Sequence, residues 1–369
     1  MRVGEQRNLG RRVQDRALGA KKPVGIDRTR HLVSLATPVS LVTPVSLVTV
    51  IIACLAIVPV FGPSSAAAQL SEDEIHPFYM AFSSSLFATV NENDARASVR
   101  VLASSIARER NVPIHPEPLI YDTLEEIEGA FSRSEVDAVA LNTVEFVQLE
   151  KIVPEWDAIL SARVGHELTE TYVLLTRQQG PKHLSELKGK NLLAFREARM
   201  CLAELWLDTE LADEGLGSAT SCFAGIQGTV KLSQAVLPVF FGQADACLVS
   251  RRGFATMTEL NPQLGRELHV IAESPPVIAA VFCVRASRDR HADNVQPIVD
   301  ALQTVHETPA GEQVLTVFQS DKLVLIDSGL LDTARTIVEG WTTLTGRAPA
   351  SSTPELLGTK ALAGAGDGR

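Results

Sequence analysis

The sequence predicts an α/β fold with two lobes, in which two α/β sheets are joined by two crossover strands. Two segments with the same layout, 134–141 and 240–250, support this prediction. Each segment ends a helix at a polar turn, places Asp137 or Asp245 at the start of a strand, and continues with small and branched apolar residues. Strand and helix patterns also alternate along the rest of the chain, which favours mostly parallel sheets.

The first lobe begins with a strand at 77–83 and a helix whose apolar positions recur at helical spacing. Those positions are Ala95, Val99, Leu102 and Ile106. Asn93 or Asp94 is expected to cap this helix, and Asp122 or Thr123 to cap the next. Further strands are predicted at 117–121, 136–141, 158–164 and 171–176, with a third helix at 142–151.

The second lobe repeats this alternation after a short helix at 184–187. Strands are predicted at 191–195, 219–223, 244–249, 268–272 and 277–284, with helices at 199–213, 229–241 and 253–260. Helices at 293–306, 311–318 and 330–344 finish the fold. The strands at 171–176 and 279–284 are expected to cross between the lobes and to leave a cleft. In open α/β sheets, ligands bind beyond the carboxyl ends of the strands, beside helix N-termini.

These patterns divide the chain into four parts. Residues 1–68 form a leader, 69–172 and 283–347 form the first lobe, and 173–282 form the second lobe. The tail at 348–369 consists mainly of small residues and is predicted to be disordered.

The leader has the features of a secretory signal peptide. Nine Lys and Arg residues precede an uncharged, mostly apolar run at 32–70, which contains Ala66, Ala67 and Ala68. A basic region, an apolar region and small residues at the cleavage site define such a peptide, so cleavage is predicted after Ala68 and export to the periplasm is expected. Two alternatives stay open. The apolar run is long enough to remain as a membrane anchor, and Cys54 follows a sequence that is similar to a lipoprotein signal.

The exported part is acidic. The leader carries nine basic and three acidic residues, so its removal changes the formal net charge from −10 to about −16. Such a surface repels nucleic acid and anionic lipid, so we expect no nucleic-acid partner and membrane contact only through the N-terminal segment. A bound anion must then be held by local donors. No cofactor is expected, because no CxxC motif or Cys/His cluster indicates a metal or redox site.

Several segments together resemble a known family. They are the strand at 171–177 with the connection to 195, the segment 242–250, the turn at 273–276, and the segment 308–315. In this order they resemble the phosphate/phosphite/phosphonate-binding branch of ABC-transporter solute receptors, which have the type II periplasmic-binding-protein fold. The resemblance covers 78–318. It implies a receptor that closes on a ligand and delivers it to a membrane permease.

Three departures from the family pattern leave the identity of the ligand undetermined. Family members usually carry a Ser-Thr-Ser run at the helix start after the first strand of lobe two, but residues 196–201 contain no hydroxyl. A His expected near the end of the next strand is absent from 225–228, and an aromatic expected after the Asp137 strand is replaced by 141–143. The ligand is therefore predicted only as a small anion, either a phosphorus oxyanion or a carboxylate.

The candidate ligand residues of the first lobe follow two strands. Ser83, Ser84 and Ser85 end one strand, and Asn142 and Thr143 end another. Hydroxyl and N–H groups at these positions can hold an oxyanion. An ordinary turn and a helix cap are the alternative interpretations.

In the second lobe, Arg196 and Arg199 are predicted near a helix N-terminus. The helix dipole disfavours a cation there by some tenths of a kcal/mol, whereas a guanidinium offers two parallel donors to a carboxylate or phosphate. A surface ion pair with Glu197 or Glu204 is the alternative. Further candidates lie at the predicted start of the next helix and along the Asp245 strand: Gln227, Gly228, Asp245, Ser250 and Arg251. Asp245, like Asp137, is expected to organise a turn or to contact a ligand hydroxyl or amine.

Four cysteines lie in the exported part, Cys201, Cys222, Cys247 and Cys283. An even number in an oxidising compartment permits disulfides, and the favoured pairs are 201–222 and 247–283. Four buried thiols are the alternative.

No catalytic motif is present in the sequence, so an enzyme is not expected. The leading hypothesis is a periplasmic solute-binding protein that captures a small anion for an ABC permease. The alternatives are a ligand sensor that docks on a membrane receptor kinase and, less favoured, an enzyme on the same fold.

Overall fold

The computed structural model describes residues 76–87, 90–285 and 291–350. The predicted signal peptide, the lipoprotein alternative at Cys54 and the tail from 351 onward lie outside these residues. Across the described ranges, no helix combines the length and the apolar character that a bilayer crossing requires.

The first sheet has six strands in the order β11-β4-β10-β3-β1-β2. They are β1 (Met80–Ser83), β2 (Leu119–Tyr121), β3 (Ala138–Asn142), β4 (Ala158–Arg163), β10 (Ala280–Val284) and β11 (Lys322–Leu325). β1 pairs in parallel with β2 and β3, whereas β10 runs antiparallel to β3 and β4, and β11 antiparallel to β4. β11 was not predicted from the sequence.

The second sheet has five strands in the order β7-β6-β8-β5-β9. They are β5 (Tyr172–Arg177), β6 (Asn191–Phe195), β7 (Gly225–Thr229), β8 (Ala246–Ser250) and β9 (Leu268–Glu273). β6 is parallel to β7 and β8, and β5 is antiparallel to β8 and β9. The prediction of mostly parallel sheets was therefore wrong, because the strands next to the lobe crossings run against the others and make both sheets mixed.

Helices cover both sheets. The helices are α1 (Glu92–Arg110), α2 (Leu124–Ser132), α3 (Thr143–Leu149), α4 (Ala203–Asp213), α5 (Ala219–Cys222), α6 (Leu232–Phe240), α7 (Arg251–Leu260), α8 (Pro262–Glu267), α9 (Val295–Gln303), α10 (Pro309–Val317) and α11 (Asp332–Thr345). Short 3₁₀ turns lie at Ser84–Phe87, Leu184–Leu187, Ala198–Met200, Ala292–Asn294, Val305–Glu307 and Ser328–Leu331.

Local caps explain where the early helices begin. The side chain of Asn91 accepts hydrogen bonds from the N–H groups of Asn93 and Asp94, so α1 starts before the caps predicted from the sequence. Thr123 caps α2 in a capping box with Glu126, as predicted. Segment 219–223, predicted as a strand, forms α5 instead, and the strand follows at β7.

Within the described residues, the chain crosses between the sheets twice. β5 lies wholly in the second sheet and β10 wholly in the first, so the crossings occupy 164–171 and 274–279. These two connections meet at a bridge between Glu170 and Val277. The predicted crossover strands are thus sheet members that flank the crossings. The residue-level lobe boundaries stay a prediction, and the one between 282 and 283 falls inside β10.

The apolar core of the part of the chain that the structure describes has three clusters. One lies between the first sheet and helices α1, α9 and α10, and another lies on one side of the second sheet. The largest contains side chains of both lobes, including Leu141 and Val144 of the first lobe and Trp206 and Leu211 of the second. α11 contributes Trp341 to it and packs against both α3 and α4. A continuous apolar interior therefore joins the lobes.

Candidate functional site

The carboxyl ends of β1 and β3 hold a carboxylate that belongs to the protein, Glu145. Ser83 Oγ donates to Glu145 Oε1 at 2.7 Å, and Ser85 Oγ donates to Glu145 Oε2 at 3.0 Å. Asn142 completes the group: its N–H donates to Glu145 Oε2 at 3.1 Å, and its Nδ2 donates to Ser85 Oγ at 2.9 Å. The donors predicted to hold an external oxyanion are therefore engaged by an internal one.

Glu145 is almost completely buried, and burial raises its pKa to about 7. The hydrogen bonds from Ser83, from the Asn142 N–H and from Ser85 act in the opposite direction, because they favour the charged form. Asn142 and Glu145 form a capping box at the start of α3, so the helix N-terminus is also satisfied from within the chain. The structure thus supports the alternative interpretation of Asn142 as a helix cap.

The other two ligand candidates of the first lobe, Ser84 and Thr143, are not among the residues that donate to Glu145. Ser84 begins the 3₁₀ turn Ser84–Phe87. Thr143 is fully buried, its N–H donates to the carbonyl of Ala279 at 3.0 Å, and its hydroxyl makes no hydrogen bond to the described residues. Neither residue lines the cavity described below.

Arg196 and Arg199, which are close in sequence, have separate partners. Arg196 Nε donates to Glu204 Oε1 at 3.1 Å, which is the ion pair that the sequence analysis gave as the alternative. Arg196 also lies against Gly228, where an added Cβ would come within 2.8 Å of the Arg196 side chain. The absence of a side chain at Gly228 therefore lets the arginine cross the strand.

Arg199 extends from lobe two toward lobe one. One terminal nitrogen donates to Ser320 Oγ at 3.1 Å and to the carbonyl of Gln319 at 3.3 Å, and the other lies 3.7 Å from Glu170 Oε1. Glu170 has a closer partner in Arg252, which also donates to the carbonyl of Val164. Segments distant in the sequence therefore meet at the lobe junction around one guanidinium.

Gln227 and Gly228 do not open a helix. They lie in β7, which pairs in parallel with β6, and the helix begins only at Leu232. The prediction was wrong because the ladder with β6 continues to Thr229 and keeps the backbone extended.

Asp245 and Asp137 have equivalent roles in the two sheets. Asp245 Oδ2 accepts the backbone N–H of Asn191 at 2.9 Å, and Asp137 Oδ2 accepts that of Tyr79 at 3.0 Å. Each carboxylate thereby satisfies an amide at or next to the start of a neighbouring strand. This geometry corresponds to the turn-organising role that the sequence suggested.

The last two ligand candidates have local roles. Ser250 caps α7 by accepting the N–H of Gly253 at 3.2 Å, and Arg251 forms an exposed ion pair with Glu273. Of the twelve predicted ligand residues, Arg199 is the one that lines the cavity.

A cavity of about 170 Å³ lies between the first sheet and helices α1, α9 and α10. Side chains from the strands and helices make most of its wall apolar. They include Met80, Phe82, Leu102, Phe282, Leu302 and Phe318. One end reaches the lobe junction, where the polar wall consists of Glu170, Glu197, Arg199, Gln319 and Ser320. The cavity is therefore apolar inside and charged at its mouth.

Burial shapes the charges at this mouth. It raises the pKa of Glu170, against the opposing effects of Arg252 and Arg199, and it raises the pKa of Glu197, with a further contribution from Glu170. Burial also lowers the pKa of Arg199, although that guanidinium stays protonated at any physiological pH. Two arginines and two carboxylates thus share a poorly solvated volume.

Glu145, Glu170 and Glu197 were missed as site residues. The Asn-x-x-Glu pattern at 142–145 is a capping-box signature and could have identified Glu145. No local pattern marks Glu170, because its importance arises from contacts with Arg199 and Arg252 across the lobe junction.

All four described cysteines are buried free thiols, so neither predicted disulfide is formed. Cys247 lies in β8 of the second sheet and Cys283 in β10 of the first, which separates that pair. Cys201 instead donates its thiol hydrogen to the carbonyl of Ala279 at 3.3 Å. Burial raises the pKa of Cys201 to about 12, so this thiol is unreactive at neutral pH. Among the described residues, no group of three or more His, Cys, Asp or Glu could hold a metal ion.

Comparison with known proteins identifies a family. Residues 85–329 match the family described as the periplasmic substrate-binding protein of the phosphonate ABC transporter. That family works in transport and is periplasmic, so it confirms the predicted resemblance and the solute-binding function. It favours neither the sensing nor the enzymatic alternative. No curated protein matches the chain in sequence.

Solved structures share the fold. XAC2383 from Xanthomonas citri bound to ATP is 18% identical, with a TM-score of 0.55, and the alignment covers 74% of this chain and 100% of that chain. The same protein bound to chloride ion is 18% identical with a TM-score of 0.52, covering 73% and 99%. PhnD1 from Prochlorococcus marinus in complex with methylphosphonate is 12% identical with a TM-score of 0.49, covering 71% and 97%. The two-sheet α/β architecture and the XAC2383 structures, whose TM-scores exceed 0.5, confirm the predicted two-lobed α/β fold.

Proposed function

Because the chain belongs to the family of periplasmic substrate-binding proteins of phosphonate ABC transporters, we propose that it captures a small anion beside Arg199 and delivers it to a membrane permease. The observation that carries this proposal is the placement of Arg199 at the mouth of the cavity, between the two lobes. A guanidinium at such a junction can hold an anion against both lobes at once, which favours the closed receptor.

The charges around Arg199 leave it available to a ligand. Glu170 forms its closer ion pair with Arg252, and its distance to Arg199 is 3.7 Å. The hydrogen bonds of the Arg199 side chain, at 3.1 and 3.3 Å, run to a hydroxyl and a backbone carbonyl, which are neutral acceptors. The carboxylates of Glu170, Glu197 and Asp321 act on Arg199 through their charges, and Arg252 opposes them. An anion offers a stronger, charge-assisted bond than either of these acceptors does. Exchange of the neutral acceptors for a ligand oxyanion is therefore favourable.

The ends of β1 and β3 are a poor alternative for the same anion. Glu145 already accepts the hydroxyls of Ser83 and Ser85, and a second oxyanion there would meet a carboxylate in a buried volume. Like charges at short range in such a volume disfavour each other strongly. This chain therefore binds its anion through lobe two.

Calorimetric titration with phosphate, phosphite, methylphosphonate and acetate tests the proposal. We expect at least one anion to bind, and we expect Arg199→Gln to weaken its affinity roughly 10- to 100-fold, because a hydrogen bond to a charged group contributes about 1.5–3 kcal/mol. Arg251→Gln is the matched control, since Arg251 is an exposed arginine of the same lobe that does not line the cavity.

Two results would contradict the proposal. If none of the anions bound, the chain would not be a receptor for this class of solute. If Arg199→Gln and Arg251→Gln bound the anion as tightly as the unchanged protein, the anion site would lie elsewhere.

A further inference from the structure

The cavity behind Arg199 is much larger than an anion head group requires, and its interior offers no hydrogen bonds to one. Its wall is built from β1, β3, β4, β10 and β11 on one side and from α1, α9 and α10 on the other. Ser161 is the polar residue of the sheet wall, and its hydroxyl already donates to the carbonyl of Ala280 at 2.9 Å. The other polar lining residues belong to the lobe junction. The cavity thus separates a charged mouth from an apolar interior.

We propose that the solute of this receptor carries a compact apolar group, such as an aryl ring or a short branched alkyl chain, which enters this cavity while its anionic end meets Arg199. The inference rests on the proposed anion-binding function and adds the substrate class to it. Phenylphosphonate and benzoate represent this class, whereas phosphate, methylphosphonate and acetate lack the apolar group.

The size of the cavity supports an aryl-sized group. An apolar cavity of about 150 Å³ in a protein core holds benzene, and the cavity here measures about 170 Å³. Native interiors contain few voids larger than one water molecule, because the lining atoms of a void lose their dispersion contacts. A void of aryl size beside a ligand-binding arginine is therefore best explained by a ligand that fills it.

The chemistry of the wall also suits a ring. Phe82 stacks on Phe318 with ring centroids 6.4 Å apart and an interplanar angle of 14°, and it meets Phe282 edge-on at 6.3 Å. Ring faces and edges of this kind pack favourably against a further aromatic group. Because an apolar cavity interior cannot compensate the lost hydration of a charge, the anionic end must stay at the mouth.

Calorimetry on the full-length protein tests the inference by comparing phenylphosphonate with methylphosphonate, and benzoate with acetate. Within at least one of these pairs, we expect the aryl compound to bind 10-fold tighter or more, because a single methylene in an apolar pocket already changes affinity by about 10- to 200-fold. The two pairs also reveal which head group the mouth accepts.

A cavity-filling variant localises the effect. Val314 lines the cavity from α10, so Val314→Trp should weaken phenylphosphonate or benzoate binding more than binding of the matching methyl compound and so remove the aryl advantage. Val317→Trp is the matched control, because Val317 is partly buried on the same helix without lining the cavity. If Val314→Trp failed to fold, the comparison of aryl and methyl compounds on the unchanged protein would still test whether the receptor prefers a solute with an aryl group.

The outcomes separate the two proposals. Equal affinity for the aryl and methyl compounds would overturn the substrate class and leave the anion receptor intact. An aryl preference that Val314→Trp did not reduce would place the apolar group outside this cavity and overturn its assignment. Failure of every anion to bind would remove the proposed function and this inference with it.

Discussion

A single side chain, Glu145, fills the position at which the sequence predicts that the first lobe holds an anion. Its carboxylate occupies the point where two strand ends, two serine hydroxyls and the start of α3 converge. A helix N-terminus and hydroxyl donors favour an anion there. The chain supplies that anion itself, and the proposed function assigns ligand binding to Arg199 of the opposite lobe.

Glu145 also predicts a pH dependence of stability. Its pKa is raised from 4.5 to about 7 in the folded protein, so the folded state binds the proton more tightly than the unfolded state does. Stability is therefore highest below pH 4.5 for this group and falls as the pH rises through 7, by an amount on the order of 3 kcal/mol. Glu145→Gln should remove most of that fall between pH 5 and pH 8.

Urea denaturation at the two pH values measures this effect. Glu92→Gln is the control, because Glu92 is an exposed carboxylate in the first turn of α1. The assignment is wrong if Glu145→Gln and Glu92→Gln show the same pH dependence as the unchanged protein.

At the scale of elements, β7 shows how one glycine positions an arginine. Arg196 follows the end of β6 and lies over Gly228 of the neighbouring β7, where it reaches Glu204 of α4. Glu204 is largely buried, so its charge depends on this guanidinium. The absence of a side chain at Gly228 thus allows Arg196 to connect the end of β6 with α4.

Gly228→Ala should destabilise the protein by about 1–2 kcal/mol. The added Cβ would lie 2.8 Å from the Arg196 side chain, which must move away from Glu204 and leave a buried carboxylate with a weaker partner. The reduced freedom of the unfolded chain offsets part of that loss.

Gly265→Ala in α8 is a suitable comparison, because an added Cβ there meets Thr258 at an ordinary distance of 3.5 Å. Thermal or urea unfolding of both variants measures the difference. Equal stability of the two variants would show that Arg196 relaxes without cost.

At the scale of the whole molecule, α11 connects the two lobes. It packs against α3 of the first lobe and α4 of the second. Arg335 donates two hydrogen bonds to Glu150 at 2.7 and 2.8 Å, just after α3, and Trp341 Nε1 donates to Asp208 of α4 at 2.9 Å. These contacts hold α11 against both lobes.

Trp341→Phe should therefore destabilise the protein by about 1–3 kcal/mol, because Asp208 loses a buried hydrogen-bond donor. Trp156→Phe provides the matched control. The indole N–H of Trp156 is buried and makes no hydrogen bond to the described residues, so its removal takes away no such bond. Chemical denaturation of the two variants should show the larger loss for Trp341→Phe, and a larger loss for Trp156→Phe would contradict this account of α11.

Features that depend on local chemistry could be predicted from the amino-acid sequence. The apolar stripe of α1, the capping box at Thr123, and the paired roles of Asp137 and Asp245 all arise from residues within a few positions of each other or from a repeated layout. The two-lobed fold followed from the order of such segments, because strand and helix periodicities are local properties. The family resemblance likewise depended on the order of segments along the chain.

Which polar groups remain for a ligand depends on the three-dimensional arrangement of the chain and could not be predicted from local sequence. Arg196 and Arg199 look equivalent in the sequence, yet one is matched by Glu204 and the other meets Glu170, Gln319 and Ser320 at the mouth of a cavity. Whether a buried charge is neutralised within the protein or left for a ligand depends on groups brought together from distant segments, because electrostatic and dispersion contacts act through space and not along the chain.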